Sequence, residues 1–287
     1  MTTRRRLIFL DVDGTLLDHG ERLSPGAVAA VRGAREAGHL VFVCTGRARA
    51  EIPTIITDIG FDGDVTAGGG FVELGGELVA ARTMPRERVV ETIDFLQARG
   101  IEFLLQSFDA VHPSAGLADR LRPFFERYGA WTGAPEFEDA NIHLVERDWE
   151  SDPGLLDRIA KITFFGDDPT TFATVRDGLG EHFHVITGSI PFLGESGGEV
   201  SPVGVHKGSA ILAVLERLGE SIDDVVAIGD SANDFEMIAI AGLGIAMGNA
   251  DGAVKAVADE VTASVADDGV WKAFQRHGLL TPVEPRR

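Results

Sequence analysis

Cysteine is nearly absent from this chain. Cys44 stands alone among 287 residues, so no disulfide can form within it, which fits a reducing compartment. Basic residues are few. Lys and Arg total 26 against 45 Asp and Glu, a formal net charge of −19. Nucleic-acid binders need the opposite balance to neutralise phosphates, so that class is set aside. Long apolar runs are missing too. The opening "MTTRRRLIFLD" offers four apolar residues before Asp11, too few for a signal-peptide core. No run approaches the roughly 18 residues of a membrane helix. The pattern G-x-x-x-x-G-K-[ST] does not occur, which removes the P-loop NTPases. These absences lead to the expectation of a cytoplasmic protein with no membrane or nucleic-acid partner.

What is present reads as an ordinary globular chain, 44% apolar and 25% charged, long enough for one large or two ordinary domains. "LIFL", "LVFVC", "DVTA", "DVVAIG" and "LGIAM" are short continuous apolar runs, the mark of strands buried on both faces. "SPGAVAAVRGAREAG" and "VHKGSAILAVLERLG" between them read as helices, the first with Ser24 as N-cap and Pro25 at its first position. "RARAEIPTIITDIG" reads as a helix weakened by Pro53. "FVELGGELVA" reads as a hairpin turning at Gly75 and Gly76. The pattern changes near Arg82. "MPRERVVETIDFLQARG" predicts a helix with Val89, Ile93 and Leu96 on one face. "IEFLLQS", "KITFFG" and "HFHVITG" predict strands, and Trp131 and Trp149 are assigned to this region's core. The expected architecture is α/β: a Rossmann-like parallel-sheet core over residues 1–82 and 190–287, with an α+β cap over 83–189 inserted between its halves.

In an open parallel sheet, ligands gather beyond the carboxyl ends of the strands. Three apolar strands here run into loaded tips: Asp11 with Asp13, Thr45 with Gly46 and Arg47, and Asp230 with Asn233 and Asp234. If the strands are neighbours, four carboxylates crowd one small volume and raise one another's pKa. A hard divalent cation resolves that conflict, and an oxygen-rich carboxylate site suits Mg²⁺. Lys207 adds a fixed cation and Thr45 a hydroxyl donor. Such parts match phosphoryl transfer, which needs positioning and charge neutralisation above all.

The sequence resembles the Cof-like subfamily of the haloacid dehalogenase (HAD) superfamily in "DVDGTLL" (11–17), "CTGR" (44–47), "HKGSA" (206–210), "GDSANDFEM" (229–237), "AGLGIAMGNA" (241–250) and "DDGVWKAF" (267–274). That resemblance implies a HAD-like fold and a Mg²⁺-dependent phosphatase of small phosphorylated metabolites, acting through an aspartyl-phosphate. It implies Asp11 as nucleophile and Asp13 as general acid and then base. Thr45, Gly46, Lys207 and Asn233 would hold the phosphoryl group. Mg²⁺ would sit between Asp11, the main-chain carbonyl of Asp13 and Asp230, with Asp234 supporting the metal or Lys207. The middle region would be a substrate-selecting cap. One departure stands out: Gly68, in "TAGGG", occupies a position where the subfamily often carries Asn.

Plainer readings compete residue by residue. Asp234 could simply favour a helix start. Arg47 could bind substrate or bridge to an acidic neighbour. Cys44 reads as a packed small hydrophobe, and His182 and His184 as exposed residues of a cap strand. Three rival functions use the same parts: a phosphotransferase or mutase, a carbon–halogen hydrolase, and a non-catalytic metabolite-binding protein. Asp13 argues against the second, because a departing halide needs no proton. Association as a monomer or a small homo-oligomer is expected.

Overall fold

The computed structural model describes residues 4–18, 22–120, 151–152, 154–187 and 196–281. Trp131 and Trp149 lie outside them. The apolar runs become strands β1 (Leu7–Leu10), β2 (Leu40–Cys44), β3 (Gly63–Thr66), β11 (Val225–Gly229), β12 (Leu243–Ala246) and β13 (Glu260–Val261). With the hairpin β4 (Phe71–Leu74) and β5 (Glu77–Ala81) they form an eight-stranded sheet in the order β13-β12-β11-β1-β2-β3-β4-β5. Pairing is parallel from β13 to β3 and antiparallel across β4 and β5. Gly75 and Gly76 close the hairpin with φ of 56° and 87°, values a two-residue hairpin turn demands.

β1 lies at the centre, between β2 and β11, with all four residues buried. Helices Pro25–Glu36, Lys207–Leu218 and Gly269–Arg276 contribute to the surrounding core, where Phe9 and Phe42 stack at 4.7 Å between centroids. The expected helix after Arg47 shrinks to a 3-10 turn, Arg49–Glu51, and one α-turn, Thr54–Thr57. Pro53 explains the break. It cannot donate a backbone hydrogen bond, and it holds Ile52 extended at ψ 118°.

The middle of the chain builds a second, antiparallel sheet. β6 (Glu102–Gln106), β7 (Val111–Pro113), β8 (Lys161–Phe165), β9 (Phe183–Thr187) and β10 (Gly197–Pro202) run in the order β7-β6-β8-β10-β9. β10 corrects the boundary expected at 189/190. It pairs with both β8 and β9, so the second sheet extends to Pro202 before the chain re-enters the core. Its apolar face packs Phe103, Leu105, Ile162, Phe164 and Val200 against helices Arg86–Gln97 and Thr171–Leu179. The expected stripe of Val89, Ile93 and Leu96 is buried there. Strand alternation turns Gln106, Lys161, Thr163, Glu199 and Ser201 to the other face, and all five are buried polar residues. Among the described residues no helix is long and apolar enough to cross a membrane.

Candidate active site

The three loaded strand tips do meet. β1 hands over to Asp11, whose N–H continues the ladder to the carbonyl of Ile228 at 3.0 Å. Gly14 follows at φ 82°. A Cβ there would lie 2.0 Å from Asp230 Oδ2, so this turn needs glycine both for its backbone and for its neighbour. β11 hands over to Asp230. The loop behind it is tied by Asp234, whose Oδ2 accepts from the N–H groups of Asp230 (2.9 Å) and Ser231 (3.0 Å).

Lys207 opens the helix Lys207–Leu218, capped by His206 through the Ser209 N–H. Its side chain is fully buried. Nζ donates to Asp11 Oδ1 at 2.6 Å and to Asp234 Oδ1 at 2.5 Å. Burial works to discharge Lys207, but Asp11 and Asp234 outweigh it and push its pKa up. Asp11, Asp230 and Asp234 each offer an oxygen within 4.8 Å of the others. The three carboxylates thus share one internal cation. Burial raises the pKa of Asp11, and Asp234, Asp230 and Asp13 raise it further against the pull of Lys207. Burial and Asp234 lift Asp230 to about 7. Its Oδ1 is buried without a hydrogen-bond partner. An orphaned acidic oxygen inside an under-neutralised carboxylate cluster fits a divalent cation with oxygen ligands.

Asp13 takes the other reading left open for Arg47. The guanidinium grips it with two bonds, Nη2 to Oδ1 at 2.7 Å and Nε to Oδ2 at 2.9 Å, a bidentate fork. Thr45 follows β2, fully buried, with Oγ1 accepting from the Arg47 N–H at 3.1 Å. Gly46 comes next, and a Cβ there would lie 2.9 Å from Asn233 Nδ2. Asn233 faces a pocket between the two sheets, lined also by Gly68, Lys161, His184, Glu199 and His206. Cys44 is buried beside the site, and burial raises its thiol pKa.

Sequence reasoning assigned no role to Asn249. Its Nδ2 donates to the Gly14 carbonyl (2.8 Å) and to Asp230 Oδ2 (3.1 Å), while its Oδ1 accepts from Val265 N–H (3.0 Å). It follows β12, a further strand tip of the same sheet, and that position was the available signal. Lys161 and Glu199 were also missed. A lysine opening the apolar run "KITFF" was the hint.

Comparison with known proteins places this arrangement. A family model described as haloacid dehalogenase-like hydrolase matches residues 8–274. The chain is 29% identical over 276 residues to the 5-amino-6-(5-phospho-D-ribitylamino)uracil phosphatase YwtE of Bacillus subtilis, covering 92% of this chain and 95% of that one. It is 27% identical over 284 residues to the pyridoxal phosphate phosphatase YbhA of Escherichia coli, covering 96% and 99%. Among solved structures, the HAD subclass IIB sugar phosphatase BT4131 superposes with a TM-score of 0.79 at 22% identity, over 96% of this chain and 99% of that one. The model's match along nearly the whole sequence agrees with the two-sheet fold and with the acidic cluster at its strand tips: the chain belongs to the haloacid dehalogenase-like hydrolases, as a Cof-like enzyme of the phosphatase type.

Proposed function

We propose that this protein is a cytoplasmic, Mg²⁺-dependent phosphatase that hydrolyses a small phosphomonoester, a sugar phosphate or a similar metabolite, through an aspartyl-phosphate on Asp11. The observation that carries the reading is the buried group of Asp11, Asp230 and Asp234 around one lysine, beside a pocket covered by the second sheet. The substrates named for the relatives, a ribityl phosphate derivative and pyridoxal phosphate, belong to the same class of small phosphomonoesters.

Asp11 and Asp230 carboxylates and the Asp13 carbonyl would hold Mg²⁺, with Asp234 fixing the loop and Lys207. When bound, the cation neutralises charge on the phosphoryl oxygens. Thr45, Gly46, Asn233 and Lys207 orient the phosphoryl group. An Asp11 carboxylate oxygen attacks phosphorus, and the ester oxygen leaves with a proton from Asp13. Asp13 then takes a proton from water, the water oxygen attacks phosphorus, and Asp11 departs as carboxylate with inorganic phosphate as product. Arg47 holds Asp13 in the free enzyme. An arriving phosphoryl group offers the guanidinium a competing anion, which frees Asp13 for proton transfer.

Release of inorganic phosphate from phenyl phosphate tests the reading. Phosphate should appear with Mg²⁺, vanish with chelator and return when Mg²⁺ is restored. Full activity without metal would overturn the cation assignment. Phosphate found only on an added sugar hydroxyl would make the protein a transferase.

A further inference from the structure

The grip of Lys207 on Asp11 and Asp234 depends on how its helix begins, and a histidine begins it. His206 is extended, at φ −155° and ψ 167°. Its ring nitrogen Nδ1 accepts from the Ser209 N–H at 3.2 Å. In return Ser209 Oγ accepts from the His206 N–H at 3.1 Å, which completes a capping box. The usual cap is an oxygen of Ser, Thr, Asp or Asn, which still accepts in mild acid. An imidazole nitrogen accepts only while it carries no proton. With Nδ1 committed as acceptor, the single proton of the neutral ring sits on Nε2. A second proton would go to Nδ1. It would turn the acceptor into a donor that faces another donor, at the positive end of a helix.

The first turn of this helix is tightly enclosed. A Cβ on Gly69, in the loop after β3, would come within 2.4 Å of the His206 carbonyl oxygen and 3.2 Å of Lys207 N. A Cβ on Gly208 would meet the Glu236 carbonyl oxygen at 3.0 Å. Arg82, in the segment leading from β5 to the second sheet, donates to Ser209 Oγ at 2.8 Å. Charged and titratable groups face the His206 ring from several elements: Glu236 from the helix Phe235–Ile240, His184 from β9, and Arg82. Lys161 of β8 and Glu199 of β10 line the same pocket. Burial lowers the pKa of the ring from the ordinary 6.5. Glu236 opposes that shift, and His184 and Arg82 add to it.

We infer that His206 is a positioning residue for Lys207, and that a proton on its ring loosens the lysine from Asp11 and so sets an acid limit on the reaction. The inference rests on the phosphatase reading and adds a control to the same site. With a neutral ring the helix starts at Lys207, and Nζ stands 2.6 Å from Asp11 and 2.5 Å from Asp234. With a charged ring the Ser209 N–H loses its acceptor, the ring turns toward Glu236, and the first turn frays with Lys207 in it. Asp11 then lacks the cation that keeps its carboxylate ionised. The folded ring resists a proton that the unfolded ring accepts near 6.5. The stability contributed by the cap is therefore full above that pH and declines as the pH falls below it.

Two measurements test it. Nitrogen NMR of the metal-free protein, labelled in its histidine rings, should find His206 protonated on Nε2 at neutral pH, with a midpoint below 6.5. The second is the pH dependence of kcat/KM for phenyl phosphate, with Mg²⁺, in the wild type, His206→Ala and His206→Asn. Alanine does not cap, whereas asparagine caps without titrating. His206→Ala should lose about fivefold or more at neutral pH, and His206→Asn should recover most of that loss. About one pH unit below the midpoint of the ring, the wild type should have fallen about tenfold further than His206→Asn, in step with the neutral fraction. The aspartates of the cluster and the substrate are common to all three proteins, so the difference isolates the ring. Should His206→Asn fold poorly by circular dichroism, His206→Ser supplies a second cap that does not titrate. An acid limb equal in the wild type and the asparagine or serine variant would overturn the inference. So would a ring protonated on Nδ1 at neutral pH, or a His206→Ala variant as active as the wild type. Failure of the wild type to release phosphate at any pH would instead defeat the phosphatase reading, and this inference with it.

Discussion

The two sheets place charge differently. Around the parallel sheet the charged groups of the site stand beyond a strand or at the start of a helix: Asp11 before Gly14, Asp230 tied by Asp234, Lys207 at the first turn of its helix. In the antiparallel sheet the polar groups sit within the strands themselves, as Lys161, Glu199 and Gln106 do. The first arrangement gives a cluster fixed against the core. The second gives a polar face turned toward the pocket, which single substitutions can alter without touching the cluster. Under the proposed function, chemistry and selectivity would be carried by separate parts of the chain.

The largest test of that division is Asp11→Asn. It should leave folding intact by circular dichroism and lower turnover at least about a thousandfold, ~4 kcal/mol of barrier, by the same factor on every phosphomonoester. A loss confined to some esters would blur the division. Next comes Lys207→Met, which strips the internal cation from Asp11 and Asp234. Chemical denaturation of the metal-free protein should show a loss of about 3 kcal/mol, the penalty for leaving buried carboxylates uncompensated. Stability equal to wild type would mean that the carboxylates simply take up protons. The smallest test pairs two glycines at positive φ. Gly14→Ala meets Asp230, whereas Gly100→Ala in the second domain meets nothing within 4 Å. We expect about 2–3 kcal/mol for the first, with loss of activity, and about 1 kcal/mol for the second, with activity kept. Equal costs would show that backbone strain alone is felt at Gly14.

The same contrast explains what could be read in advance. The parallel strands were visible because burial on both faces makes their sequences continuous apolar runs, and the acidic tips stood out against them. Gly75 and Gly76 marked the hairpin by their turn chemistry. The short helix after Arg47 was overestimated because helical periodicity says nothing of how Pro53 cuts it. β10 escaped because "GGEVSP" is not apolar and earns its place only through register with β8 and β9. Lys161 and Glu199 were invisible as a pair: they are 38 positions apart by their numbers, and only the folded sheet brings them together. Asn249 needed the location of a fourth strand tip.

One further consequence follows from β1 lying between β2 and β11. Lys207 is separated from Asp11 by 196 positions. On the ribosome, where segments emerge in order, the second sheet has all its strands before the central strand of the first gains its later neighbour. The nascent aspartates at the head of the chain wait, hydrated and mutually repelling, until the last third is made. Assembly of the acidic cluster is thus a late event in biogenesis, and a truncated product ending before that lysine carries Asp11 without its counter-ion.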